Sequence, residues 1–368
     1  MSVTAELQQR FFSQFFPVPG FLEMPAVGLD LSDDAVSVLE LVRQGGSYTL
    51  GRFKRVKLPA GIITGGYVND KDRVIAELRK LKDELKLEFV HGSLSEEKAY
   101  LFKARIPPLP RKEIRGALEF KLEESVPIPA SQAIFDYSII TQEGHDSDNH
   151  VDVEVTVLPQ KVVDTYCEIL GQAGLIPLSF EIEAQAVSRS VVRKGDRGTY
   201  LVIHFGEEKT GLFIVSDEVV QFTSTVAIGG KNFTEAIAKC LSVSVEEARK
   251  IKCGQAEFKN KKNTDLFFSV MNSLSALKDE VNKLSVYWHT HKDIADGTRK
   301  KISKIILSGC DAGLPGLNEY LTLTLALPVE VGNVWCNVFS FEEYIPPMMF
   351  QDSLGYAVAV GLALPKSY

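Results

Sequence analysis

The sequence predicts an α/β protein of two lobes built alike, with a small α+β unit inserted into the first. Three observations carry that expectation. The 368 residues exceed what one hydrophobic core usually serves. Two strand–turn–strand units, at residues 26–41 and 200–215, lie about 170 residues apart and share a shape. In each, an apolar strand runs into an acidic turn, Ser32-Asp33-Asp34 in one and Gly206-Glu207-Glu208 in the other, and a second apolar strand follows. Between them, residues 88–158 read as strand-strand-helix-strand-strand before α/β alternation resumes. Taken alone, the repeat competes with a chance likeness of two β-hairpins.

Taken in order, the elements support this division. Residues 1–24 carry Leu7, Phe11, Phe12, Phe15 and Phe16 as an apolar stripe that Pro17 and Pro19 terminate. That segment suits a bilayer surface, a groove, or a short helix packed on its own domain; its one basic residue, Arg10, offers little to anionic lipid. The first lobe opens over 25–87: Val27, Leu29 and Leu31 alternate, the chain turns, and Val36, Val38 and Leu39 resume. A strand at 48–58 and a turn at 61–66 lead to a helix capped near Asp70, with Val74, Leu78, Leu81 and Leu85 on one face.

The inserted unit at 88–158 has strands at 88–94, 99–106, 133–140 and 151–158, and a helix at 111–124 on Ile114, Leu118 and Leu122. Pro127 and Pro129 end that helix, and 144–150 read as an exposed loop. The first lobe continues over 159–196 with a helix at 160–172, a strand at 176–180 and a helix at 184–191. The second lobe spans 197–345. It adds helices at 233–241, capped by Asn232, at 245–251, and at 265–289 with Phe268, Met271, Leu274, Leu277, Val281, Leu284 and Trp288 at threes and fours. A strand at 301–308, a flexible turn, and a helix opened by Pro315 follow. The run at 354–364 is too short to span a bilayer and reads as a buried helix, within a segment at 346–368 that returns to the first lobe.

Composition excludes several classes. Hydrophobic residues are 45% and charged residues 24%, as in folded chains. A formal charge of -7 gives no global attraction for nucleic acid, and the lysines at 259, 261 and 262 read as a solvated loop. The five cysteines are dispersed without a CxxC pair, which argues for free thiols in a reducing compartment and against a zinc site. His289 and His291 stand two apart, on different helical faces, so they form no metal pair. No run approaches the twenty apolar residues of a membrane span, which leaves peripheral or partner-borne membrane contact.

Three small-residue turns follow apolar strands, at 31–34, 205–209 and 309–314, where backbone N–H groups can approach a phosphate. Asp30, at a strand end, is placed to hold magnesium through water. There is no GxxxxGK[ST] loop and no GxGxxG fingerprint.

The order and wording of the segments resemble the PilM family of actin-like type IV pilus assembly proteins, themselves similar to the cell-division protein FtsA. The likeness runs from about Ala26 over nearly the whole chain. It is most specific at 26–41, at 111–129 (RKEIRGALEFKLEESVPIP), at 133–137, 173–178 and 225–237, and at 305–321 (IILSGCDAGLPGLNEYL). The resemblance implies a two-lobed actin-like fold, a duplicated ribonuclease H-like architecture. It also implies a first phosphate loop at 30–34, a second at 204–210 and an adenosine loop at 309–314. ATP and magnesium would then meet Asp30, Ser32, His204, Gly206, Lys209, Thr210, Gly309 and Asp311. A PilN-like inner-membrane protein would lay its cytoplasmic tail near residues 88–158, at the cytoplasmic face of the membrane, with the pilus motor as a further partner.

The departures from that family pattern predict an eroded cleft. Ser32 replaces a usual glycine, Asp33 and Asp34 replace small hydroxyl residues, His204 replaces an aspartate, and Gly309-Cys310-Asp311 replaces a glycine run. Added carboxylates repel phosphates, and imidazole is a poor stand-in for an anion holding hydrated magnesium. No general base is evident, and Lys209 reads as a phosphate contact or as an exposed lysine. The expectation is a scaffold of type IV pilus or related type II secretion assembly without hydrolysis. The alternative is an ATP-binding switch or slow magnesium-dependent ATPase.

Overall fold

The computed structural model describes residues 26–44, 47–140, 150–252, 263–291 and 299–365. The amphipathic stripe before residue 25, most of the loop at 144–150, and the lysines at 259, 261 and 262 lie outside the described residues.

β1 (Ala26–Leu31) and β2 (Ala35–Gln44) form an antiparallel hairpin in which Leu29 faces Val38 and Leu31 faces Val36. β3 (Ser47–Lys57) extends it, and a two-residue-per-strand hairpin of β4 (Ile63–Thr64) and β5 (Tyr67–Val68) follows. α1 (Lys71–Leu85) starts where the Asp70 carboxylate accepts from the Arg73 N–H at 3.1 Å, and it buries Val74, Ile75, Leu78 and Leu81. β6 (Phe89–Leu94) then runs parallel to β1. This pairing corrects one expectation: the strand at 88–94 belongs to the first sheet and not to the inserted unit.

The inserted unit consists of β7 (Tyr100–Ile106), α2 (Arg111–Ser125), β8 (Ala133–Ile140) and β9 (Val151–Pro159), with sheet order β7-β9-β8. Ile114, Leu118 and Leu122 of α2 pack against Val153, Val155 and Val157 in a hydrophobic cluster separate from the main core. The chain returns through α3 (Gln160–Gln172), β10 (Ile176–Ile182) and α4 (Glu183–Val191), completing a sheet of order β10-β6-β1-β2-β3.

The second lobe opens with a meander, β11 (Thr199–Phe205), β12 (Thr210–Ser216) and β13 (Val219–Val226). Helices α5 (Gly230–Leu241), α6 (Val245–Lys252) and α7 (Asn263–Thr290) follow, then β14 (Lys304–Gly309), α8 (Leu317–Leu325) and β15 (Val329–Val331). The order is β13-β12-β11-β14-β15. Each large sheet is thus a three-stranded antiparallel meander flanked, on the side of its first strand, by two parallel strands. The repeat therefore extends well past the two hairpins that announced it.

α9 (Phe350–Ser353) and α10 (Ala357–Ala363) end the fold, and α10 lies on β1 and α4. The approach is close enough to demand glycine on both sides. A Cβ on Gly28 would stand 1.9 Å from the Ala359 carbonyl oxygen, and one on Gly361 would stand 1.8 Å from that of Ala186.

Several local readings change. Asn232 is the third residue of α5 and not its cap; its Oδ1 accepts from the Gly229 N–H at 2.9 Å, and the helix begins at Gly230. On α7, Leu274, Leu277, Val281, Leu284 and Trp288 are buried with Val270, while Phe268 is 62% exposed. No helix among the described residues is long and apolar enough to cross a membrane.

Candidate functional site

The ends of β1, β11 and β14 converge on one cleft between the two large sheets. Asp30, Ser32, His204, Gly206, Lys209 and Gly309 all line it. Thr210 and Asp311 do not. Thr210 is buried and donates its hydroxyl to the Ile228 carbonyl at 2.7 Å. Asp311 turns into the second lobe, where its Oδ1 stands 2.8 Å from Lys252 Nζ.

Asp30 sits at the end of β1 and accepts from Ser93 Oγ of β6 at 2.9 Å. The same Ser93 oxygen accepts from the Leu31 N–H at 3.0 Å, so one hydroxyl pins the strand end. Burial pushes the Asp30 carboxyl up to about 6, against the pull of Ser93 and Arg55. In the following turn, the Ser32 N–H and Oγ both donate to the Ala35 carbonyl, at 3.0 and 3.1 Å. Asp33 accepts from the Gly65 N–H at 3.2 Å, and Asp34 pairs with Arg55 at 3.1 Å.

On the opposite lobe, His204 closes β11 with its Nδ1 3.2 Å from Ser308 Oγ and its ring stacked on Phe213. Burial, then the charges of Arg55 and Lys209, push this imidazole down to about 4, so it is neutral at pH 7. The Gly206 N–H donates to the Lys209 carbonyl at 2.9 Å, and the Gly206 carbonyl accepts from the Gly230 N–H at 2.9 Å. Gly309 adopts φ +88°, and a Cβ there would stand 2.1 Å from the Phe205 carbonyl oxygen. Glycine is thus required at this turn for backbone reasons.

Lys209 is neither exposed nor free. Its side chain is 15% exposed, and its ammonium donates to Ser95 Oγ at 3.0 Å and meets Glu97 Oε1 at 3.0 Å and Asp33 Oδ2 at 3.7 Å. The sequence also concealed Arg55, Glu96 and Glu183, all in the lining. Glu183 opens α4 and Glu96 stands just after β6; both are buried. Burial raises both carboxyls, and the charge of Glu96 drives Glu183 further up. Arg55 reaches from β3 to Cys310 Sγ and to the Gly355 carbonyl.

This arrangement can be tested against a magnesium nucleotide, the group the fold implies. Phosphoryl transfer needs donors aimed at the phosphates and cations free to neutralise them. The Ser32 and Gly206 N–H groups are spent on their own turns, and both lining cations are spent on protein carboxylates. Among the described residues no cluster of three or more His, Cys, Asp or Glu side chains is arranged for a metal. As arranged, the Ser32 and Gly206 N–H groups, Lys209 and Arg55 are held by the protein's own groups rather than set toward phosphates.

A family model described as type IV pilus assembly protein PilM matches residues 28–367. A chain of a PilM-PilN type IV pilus biogenesis complex superposes with a TM-score of 0.72 at 22% identity, over 92% of this chain and 98% of that one. Ethanolamine utilization protein EutJ from Carboxydothermus hydrogenoformans superposes with a TM-score of 0.54 at 15% identity, over 98% of this chain and 99% of that one. At such identities the likeness speaks to the fold, which is the two-lobed actin-like α/β fold.

Proposed function

The chain belongs to the type IV pilus assembly protein PilM family, and from that premise we propose that it is a docking body of a pilus assembly machine. It binds the cytoplasmic tail of a PilN-like inner-membrane protein, works at the cytoplasmic face of that membrane, and turns over no nucleotide. The observation that carries this reading is the family match, which runs through both lobes and the inserted unit. The co-occurrence of PilM and PilN in the solved complex adds the partner class. Contact with the pilus motor is the natural onward link, and a type II secretion apparatus is the related machine.

The inserted unit offers apolar surface for a tail. Phe120 of α2 is 81% exposed, and Ile134 and Ile139 are exposed on β8, an edge strand. Ile176 and Leu178 are likewise exposed on β10, the edge of the first sheet. Edge strands with apolar side chains suit an extended peptide that adds main-chain hydrogen bonds.

Titration calorimetry with a synthetic PilN-like N-terminal peptide tests the reading. Saturable binding is the expected outcome, and its absence where another PilM protein binds its own peptide rejects the docking role. A second reading, an ATP-gated switch or slow magnesium-dependent ATPase, is favoured by Asp30, Gly206 and Gly309 standing at the cleft. Phosphate release above that of a buffer blank would support it.

A further inference from the structure

We propose that the cleft is locked shut by the protein's own cations, with Lys209 of the second lobe plugged among first-lobe carboxylates and Arg55 of the first lobe tied to Cys310 of the second. The inference rests on the reading that this cleft holds no magnesium nucleotide. It adds what holds the lobes together in its place.

The geometry is that of a reciprocal latch. Lys209 projects from the β11–β12 turn and crosses to Ser95, Glu97 and Asp33. Ser95 Oγ and Glu97 Oε1 stand within hydrogen-bond distance of the ammonium at 3.0 Å, and Asp33 adds a longer ion pair at 3.7 Å. Arg55 projects the other way from β3, anchored at home by Asp34 and the Gly355 carbonyl, and reaches Cys310 Sγ just beyond β14. Each lobe thus supplies one cation to the other.

The charges explain why the latch is needed. Asp30, Asp33, Glu96 and Glu183 crowd the first-lobe wall, and Glu96 Oε2 is buried with no hydrogen-bond partner. Crowded, buried carboxyls oppose one another's ionisation, and a cation tethered by the chain offsets that opposition. Burial works against the Lys209 charge, but Glu183, Glu96, Asp33 and Glu97 together hold the ammonium protonated above its ordinary range. A triphosphate entering the cleft would bring anionic charge to this wall and compete for the one lysine that neutralises it.

The test measures the distance between the lobes. Cys167 of α3 and Cys240 of α5 are exposed, one in each lobe. Spin labels on these two, with Cys253, Cys310 and Cys336 replaced by serine, report the separation by pulsed electron resonance; serine at 310 leaves Arg55 an acceptor. The parent is expected to give one narrow distance without ligand, unmoved by millimolar magnesium ATP. Lys209→Met is expected to broaden it and lengthen its mean by about 5 Å or more, as a released hinge does, while Lys209→Arg keeps it narrow. Should circular dichroism show Lys209→Met unfolded, Glu97→Gln weakens the same latch from the other side and is expected to broaden the distribution too. A parent that is broad and narrows only with magnesium ATP overturns the latch, as do folded latch variants indistinguishable from the parent. Peptide titration on the same samples separates the two ideas: narrow distances without peptide binding sink the docking role alone.

Discussion

Glu154 of β9 is buried with its Oε1 lacking a hydrogen-bond partner, and burial pushes its carboxyl up to about 8 against the pull of Lys103. A carboxyl whose folded pKa exceeds its unfolded one binds more protons when folded, so stability falls as pH rises through that window. Asp30, raised to about 6, acts with the same sign, and His204, lowered to about 4, acts with the opposite sign over the acid range. Glu183, also driven up, shares the sign of Glu154, so the difference between wild type and Glu154→Gln is what isolates Glu154. Urea unfolding should show the wild type losing about 1–2 kcal/mol more than Glu154→Gln between pH 6.5 and 8; equal slopes would refute it. At this scale the sequence exposed residues that sit on recognisable local shapes, such as Asp30 and His204 at strand ends and Gly309 in its turn. It concealed Arg55, Glu96 and Glu183, because nothing local marks a side chain whose partner lies across a cleft. Lys209 misled for the same reason: an isolated lysine in a turn looks solvated until the opposite wall is known.

α2 illustrates what periodicity can and cannot settle. Ile114, Leu118 and Leu122 recur every fourth residue and pack inward, and the inserted unit accordingly has its own hydrophobic cluster. Phe120, on the outward face, is 81% exposed among the described residues. Phe120→Ala should leave the thermal midpoint within about a degree, since surface truncations seldom exceed ~0.5 kcal/mol. It should weaken the PilN-like peptide by tenfold or more in calorimetry, as loss of an aromatic anchor does. Unchanged affinity would place the tail elsewhere. The elements the sequence did not yield are equally instructive. β13 has only one fully buried position and no clean alternation, and β15 has three residues. β6 was visible as a strand but assigned to the wrong unit, because parallel pairing with β1 leaves no trace in the strand's own residues.

Across the whole molecule, two meanders with parallel flanks contribute to one cleft, which is cross-linked from both sides. The two-lobed plan was legible from length and the paired acidic turns; the latch was not, since it exists only once the lobes are juxtaposed. The latch bears on ligand response. A nucleotide bound at 10 μM would stabilise the folded state by about 2.7 kcal/mol at millimolar concentration, whereas binding weaker than 10 mM contributes about 0.1 kcal/mol or less. Differential scanning fluorimetry with 1 mM magnesium ATP should therefore move the melting temperature by less than about a degree, and a saturable rise of several degrees would contradict the closed cleft.

The placement of α10 has a consequence for biosynthesis. Strands β11 to β15 are consecutive in the chain, so the second sheet can assemble as soon as its own residues have left the ribosome. The first sheet cannot be covered until Ala357–Ala363 arrive to seat Gly361 against Ala186 and Ala359 against Gly28. Its half-made surface, apolar and awaiting a late helix, is where a nascent chain of this kind would most need a chaperone.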